Sequence, residues 1–266
     1  MKRVCFLILI VGLTTMNVFG GKKEIRPVTA FTEIDASGVF DITVTKGDAE
    51  SLVIEADDEV MPYVLSEVRN GVLYLYLDTH KKIKNVKLLK ASIVMKDLEK
   101  VTLSGACKLT TNNLFTSNKF RADCNGASNM TIHINTGQLS IETSGACNIR
   151  IKANVTGYTY LSLSGASHIM GELNANDVKF NCSGVGSIEL TGSANNIDMD
   201  ASGASKILTE QFAVKNASIV LSGTGKITVN ASDYLKVNSS GASSVNYKGS
   251  PVTEINRSDI ATVSKI

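Results

Sequence analysis

The sequence predicts an all-β chain: a single-stranded parallel β-helix, a three-sided solenoid of about 19–20 residues per coil, opened by an irregular strand and hairpin segment. Three observations predict it. A Ser-Gly-Ala motif, with Asn-Gly-Ala, Ser-Gly-Val and Ser-Gly-Thr in three of its eight copies, recurs at near-constant spacing, apolar and polar residues alternate with period two around each copy, and the prolines stay out of the array. The chain has 266 residues and 3 prolines, Pro27, Pro62 and Pro251, so every residue from Tyr63 to Ser250 keeps a backbone amide to donate to a neighbour.

The chain opens with a segment set aside from the fold. Lys2 and Arg3 precede an apolar run from Val4 to Val11, and Val18-Phe19-Gly20 offers small or apolar residues at the end, the three-part pattern of a secretory signal peptide over 1–20 with cleavage after Gly20. The apolar run is about half of the roughly 18 residues a spanning helix needs, so no stable transmembrane segment is expected after its removal. Cys5 stands at the start of the run and no Cys follows the cleavage point, so a lipoprotein is not expected. The remainder, 21–266, reads as one domain, because no Pro/Gly/Ser linker or charge block divides it.

Irregular first coils are expected over 28–100. Ile34 to Thr45 and Ser51 to Glu55 read as strands, and Asp57 to Tyr63 as a short helical turn capped by Asp57 or Asp58. Val64 to Arg69 and Val72 to Leu77 form a hairpin across Asn70-Gly71. A Lys-rich stretch from His80 to Leu88 leads to a strand at Ala91 to Met95.

Regular repeats fill 101–250. Their glycines are Gly105, Gly126, Gly145, Gly165, Gly184, Gly203, Gly223 and Gly241, spaced 21, 19, 20, 19, 19, 20 and 18 residues, and Ser37-Gly38-Val39 supplies an isolated ninth copy 67 residues earlier. Four residues after each glycine stands an aliphatic or Met side chain, from Leu109 and Met130 to Val245, and two residues after it a small one, from Cys107 to Ser243. Such alternation makes strands with one buried face. A unit this short cannot bury that face alone, so successive coils must stack as parallel strands about 4.8 Å apart. Glycine marks a corner with positive φ, and its Ser or Asn neighbour bonds the turn. A nucleophilic serine is not expected, because this serine recurs without a partner His. Residues 251–266 read as a C-terminal cap.

With 27 Lys+Arg against 25 Asp+Glu, and 25 against 25 once Lys2 and Arg3 are removed, the charge balance gives no footprint for a nucleic acid. Cys107 and Cys147 share one repeat offset two coils apart, and Cys124 and Cys182 another three coils apart, both beyond disulfide reach. Cross-offset pairs such as Cys124 with Cys107 or Cys147 stay open, with four buried free thiols favoured. His80, His133 and His168 have no Cys or carboxylate at metal-ligand spacing, so neither a metal nor a cofactor is expected. Asp123 and Glu142 share an offset on adjacent coils, the spacing of a retaining glycosidase pair. We read them as a solvated face balanced by Arg121, with no aromatic platform for a sugar nearby and no catalytic residue in the chain.

Several stretches together resemble the auto-transporter adhesin head (GIN) domain family of Bacteroidetes-type exported proteins. They are Phe31-Thr32-Glu33-Ile34-Asp35-Ala36-Ser37-Gly38-Val39 with Ile42-Thr43-Val44, Asn70-Gly71-Val72-Leu73, Val101-Thr102-Leu103-Ser104-Gly105-Ala106, the Ser-Gly-Ala array, and the closing Tyr247-Lys248-Gly249-Ser250-Pro251. The resemblance covers roughly 28 to 255 and implies a right-handed helix, in agreement with the handedness of parallel crossovers. It carries over no catalytic or ligand-binding residue. The function expected is a non-enzymatic exported envelope protein, periplasmic or at the cell surface, that binds a glycan or protein through the outer faces of the solenoid. The alternative is a periplasmic sensory or structural module of an envelope-stress system, and a polysaccharide-degrading enzyme comes third.

Overall fold

A computed structural model describes residues 15–18, 21–78, 80, 85–258 and 260–266. The expected leader lies outside the described residues except for Thr15–Val18, which pair antiparallel with Gly21–Arg26. Strand makes up 70% of the chain, wound as a β-solenoid of about nine turns, as the repeats predict.

Two parallel stacks carry the architecture. The first begins with the antiparallel hairpin Val64–Arg69 and Val72–Leu77, continues through Glu33–Gly38 and Lys100–Gly105, and then gains one strand per coil up to Val252–Arg257. The second begins with Gly21–Arg26, Ser51–Ala56 and Leu89–Met95 in antiparallel order, passes to Asp41–Lys46 and Lys108–Thr111, and ends at Thr262–Lys265. Stretches such as Phe115–Ser117 and Ile134–Thr136, also in register, carry each coil from the second stack back to the first.

Alternation along each strand becomes columns across the coils. Ile42, Leu109, Met130, Ile149, Ile169, Ile188, Ile207, Ile227 and Val245 stand on one another and are all buried, the residues four positions after each corner glycine. Opposite them run Ile34, Val101, Ala122, Ile141, Leu161, Phe180, Met199, Ile219 and Val237, equally buried. Each large aliphatic side chain so buried contributes about 1.5–3 kcal/mol, which is how units too small to fold alone hold together as an array.

The corner glycines form a third column. From Gly38 to Gly241 all nine have positive φ, between +72° and +114°. At Gly105, Gly165, Gly184, Gly203, Gly223 and Gly241 an added Cβ would stand 2.5–2.8 Å from the carbonyl oxygen of the glycine one coil before. Two constraints therefore select glycine, the backbone conformation and the closeness of the next coil. Gly105 pairs directly with Gly38, so the 67-residue gap between them is an insertion between adjacent coils.

The insertion differs from its sequence reading in two places. The strand expected over Ile34 to Thr45 is two, Glu33–Gly38 and Asp41–Lys46, because Gly38 turns the chain there. The helical turn is a 3-10 segment, Met61–Tyr63, without a side-chain cap. Asp57 accepts instead from the amides of Lys87 and Leu88, at 2.8 and 3.0 Å, so it anchors the Lys-rich stretch rather than the turn. The hairpin is as expected, with Asn70 and Gly71 both at positive φ.

Candidate binding groove

Outward positions of the first stack hold a connected network of charged side chains. Asp123 and Glu142 are paired neighbours on adjacent coils, and Arg121 reaches both. Its Nε donates to the Asp123 carboxylate at 2.9 and 3.0 Å, and its Nη2 lies 3.1 Å from Glu142 Oε1. Lys100 Nζ adds a contact to Asp123 at 3.7 Å. Asp123, hydrogen-bonded to Arg121, drives the guanidinium further toward its charged form, against partial burial. Arg121 thus ties both carboxylates to one cation, and a polar cavity of about 450 Å³ lined by Asp35, Lys100, Arg121, Asp123 and Glu142 opens beside them. Beyond Thr102 in the same column is Asp35, whose carboxyl burial pushes up while Lys100 opposes the shift.

Beside this network a groove runs along the solenoid axis. Its outer edge is the column Tyr158, Asp177, Asn196, Asn216 and Tyr234, one residue per coil. Asn196 donates to Asp177 at 2.7 Å and Asn216 to Asn196 at 2.9 Å, so amides and a carboxylate link three successive rungs. The next outward column, two residues further along each strand, contains Arg121, Ser140, Tyr160, Lys179, Asp198, Ser218 and Lys236. Buried Val178, Ile197 and Ala217 make the floor between the columns.

Tyr158 divides the groove into two basins. One, of about 350 Å³, extends to Tyr234, and the other, of about 640 Å³, extends to Lys100, Lys119 and Arg121. Tyr158 is 46% exposed and Tyr234 36%, so both offer ring surface to solvent. Tyr234 is fixed by its hydroxyl, which donates to Glu254 at 2.6 Å, and Lys236 holds the same carboxylate at 2.8 Å. Lys236 and Tyr234 together keep the Glu254 carboxyl below the usual carboxylate range. On the second outward column, Tyr160 accepts from the Asn181 amide at 3.0 Å. Tyr160 pairs with Ser140, two residues before Glu142, and lines the same basin as Arg121, whereas no aromatic side chain lines the cavity at Asp123 and Glu142.

The remaining chemical candidates stand elsewhere. His168 bonds Ser187 through Nδ1 on the second stack, but its column runs Asn148, His168, Ser187, Lys206, with no carboxylate in it to orient the ring as a base. Cys107, Cys124, Cys147 and Cys182 are free and buried. Among the described residues no group of three or more His, Cys, Asp or Glu could hold a metal, and no helix is long and apolar enough to cross a membrane.

Solved structures share this architecture. A protein named as a putative adhesin from Parabacteroides distasonis ATCC 8503 is 23% identical, with a TM-score of 0.71 over 92% of this chain and 96% of its own. Another, named as a putative adhesin from Parabacteroides merdae ATCC 43184, is 18% identical, with a TM-score of 0.71 over 93% of this chain and 97% of its own. A third, from Parabacteroides distasonis ATCC 8503 and named as a putative lipid binding protein, is 19% identical, with a TM-score of 0.70 over 93% and 97%. No curated protein matches the chain. The family model described as "Putative auto-transporter adhesin, head GIN domain" matches residues 30–171 and again 140–251, its two overlapping placements following the repeat. The chain, with its opening motif, its corner glycines and its stacked coils, belongs to that family.

Proposed function

We propose that this protein is an exported, non-enzymatic binding protein of the cell envelope, and that it holds a linear glycan in the groove between Lys119 and Tyr234. The observation that carries the reading is the outer column of that groove. Exposed tyrosines stand at Tyr158 and Tyr234, with Asp177, Asn196 and Asn216 between them, one per coil. A sugar chain presents apolar ring faces and a repeating set of hydroxyls. Tyrosine offers the first an amphipathic platform, and amides and carboxylates give the second both donors and acceptors. Charges of both signs line the groove, which suits a hydroxylated polymer better than a polyanion.

Family membership and the expected 1–20 leader support export and an adhesin-like role. One structural neighbour is named for lipid binding, but here the coil interior is filled by columns of Ile, Leu, Val, Phe and Met, which directs the reading to the outer surface. Ion pairing of Asp123 and Glu142 through Arg121 supports binding over hydrolysis.

A glycan array probed with the full chain, together with protease shaving of intact cells, tests the reading. Binding to a class of linear oligosaccharides, without cleavage, and loss of the chain on shaving are expected. No glycan bound and a chain protected from protease would remove the proposal, and release of shortened sugars would replace it with an enzyme.

A further inference from the structure

At each corner the residue two before the glycine and the residue two after it both point into the coil. Within one coil they meet across the turn: Ser239 Oγ and Ser243 Oγ are 2.7 Å apart on either side of Gly241. Between coils the contact is diagonal, with the later residue of one coil reaching back to the earlier residue of the coil before. Cys107 Sγ approaches the Ala36 carbonyl at 3.9 Å in this way, and the Cys182 thiol interacts with Ser205. At one place both partners are cysteines. Cys147 Sγ lies 2.9 Å from the Cys124 carbonyl oxygen.

We propose that Cys124 and Cys147 are a redox-active pair that closes an intercoil disulfide on oxidation by a disulfide-bearing oxidant. The Cys147 thiolate attacks one sulfur of the oxidant, forming a mixed disulfide and expelling a thiolate. The Cys124 sulfur then loses its proton and attacks Cys147, forming the Cys124–Cys147 bond and expelling the second thiolate. Two thiol protons and two electrons leave the pair, and the oxidant is reduced to two thiols.

The exchange balances the same from either sulfur, and the geometry fixes the pairing: Cys147 Sγ is directed at Cys124, 2.9 Å from its carbonyl oxygen. The Cys147 thiol donates to the Cys124 carbonyl, and the Cys124 thiol to the Ser128 carbonyl at 3.8 Å. Both are buried in the folded coil, so the oxidant reaches them while the array is winding up. Cys107 and Cys182 face Ala36 and Ser205 in the equivalent places and have no thiol to join there.

Refolding the full chain with and without oxidised glutathione, followed by thiol counting on the unfolded protein and peptide mapping, tests this. The oxidised sample is expected to keep three free thiols, at Cys5, Cys107 and Cys182, with the peptides bearing Cys124 and Cys147 linked. Cys107→Ser leaves that linkage in place and Cys147→Ser abolishes it. Five free thiols after oxidation, or a dominant link that includes Cys5, Cys107 or Cys182, would overturn the assignment. Mapping the unmodified chain decides the matter even where a variant folds poorly.

Discussion

The carbonyl oxygen of Gly145 accepts the amide of Ala166 at 2.8 Å and lies 2.5 Å from where a Cβ on Gly165 would stand. Each corner glycine thus closes the gap that lets the next coil hydrogen-bond. Gly165→Ala combines a positive φ with a clash against backbone, and a loss of about 2–4 kcal/mol is expected in urea unfolding. Gly71→Ala is the control. Its φ is also positive, but nothing lies within 4 Å of its Cβ position, so about 1–2 kcal/mol is expected. Equal losses at the two sites would show that the close approach is not felt.

Tyr158 stands where the two basins meet. Tyr158→Ala is expected to weaken glycan binding at least fivefold, about 1 kcal/mol, with the thermal midpoint nearly unchanged because the ring is half exposed. Titration of one array-identified oligosaccharide against both proteins checks it.

Arg121 bridges Asp123 and Glu142 on a partly exposed face, so its energetic role is small. A double-mutant cycle between Arg121→Ala and Glu142→Ala should give a coupling of about 0–1 kcal/mol that shrinks with added salt. Asp123→Asn is expected to leave glycan binding intact and to remove no cleavage activity.

The diagonal contact at the corners also predicts an engineered bond. Ser205→Cys places a thiol against Cys182 in the relation Cys147 has to Cys124. Oxidation during refolding should link Cys182 to the new thiol, read by peptide mapping. A variant that stays reduced would show that this relation does not suit a disulfide.

Asp57 gives a pH dependence. Amide hydrogen bonds from Leu88 and Lys87 hold its carboxyl below its ordinary 3.8. A carboxyl lowered in the folded state adds stability that is complete above its unfolded value and disappears as pH falls through the folded one. The difference in urea midpoint between the natural chain and Asp57→Asn should be level from about pH 5 to 7 and collapse below about pH 3. A difference constant across that range would contradict the account.

The ladder was legible because it repeats. Eight glycines at near-equal spacing, with an apolar residue four positions after each, define the corner and the inner column without further information. The isolated Gly38 motif could be seen, but nothing local says that it pairs with Gly105, since the 66 residues between them carry their own strands. The groove was hidden for another reason. Tyr158 and Tyr234 share a column only after four coil steps, and coils of 18 to 21 residues let small slips accumulate, as between Thr209 and Ala213 and again between Val214 and Asn216. Outward residues obey no shared pattern, so their neighbours are known only once the register is. Likewise, offsets from the glycine ruled out same-offset cysteine pairs, whereas the Cys124 and Cys147 contact depends on how the corner folds one offset toward the other.

The central claim is that the binding site is a track along the solenoid axis. Affinity measured against a length series of one linear oligosaccharide tests it most directly. Tyr158 and Tyr234 stand four coil steps apart, about 19 Å at the usual strand spacing. Affinity should rise with chain length until the sugar spans that distance, then level off, with the gain lost in Tyr234→Ala. Affinity already complete with a single sugar unit and indifferent to Tyr234→Ala would contradict it.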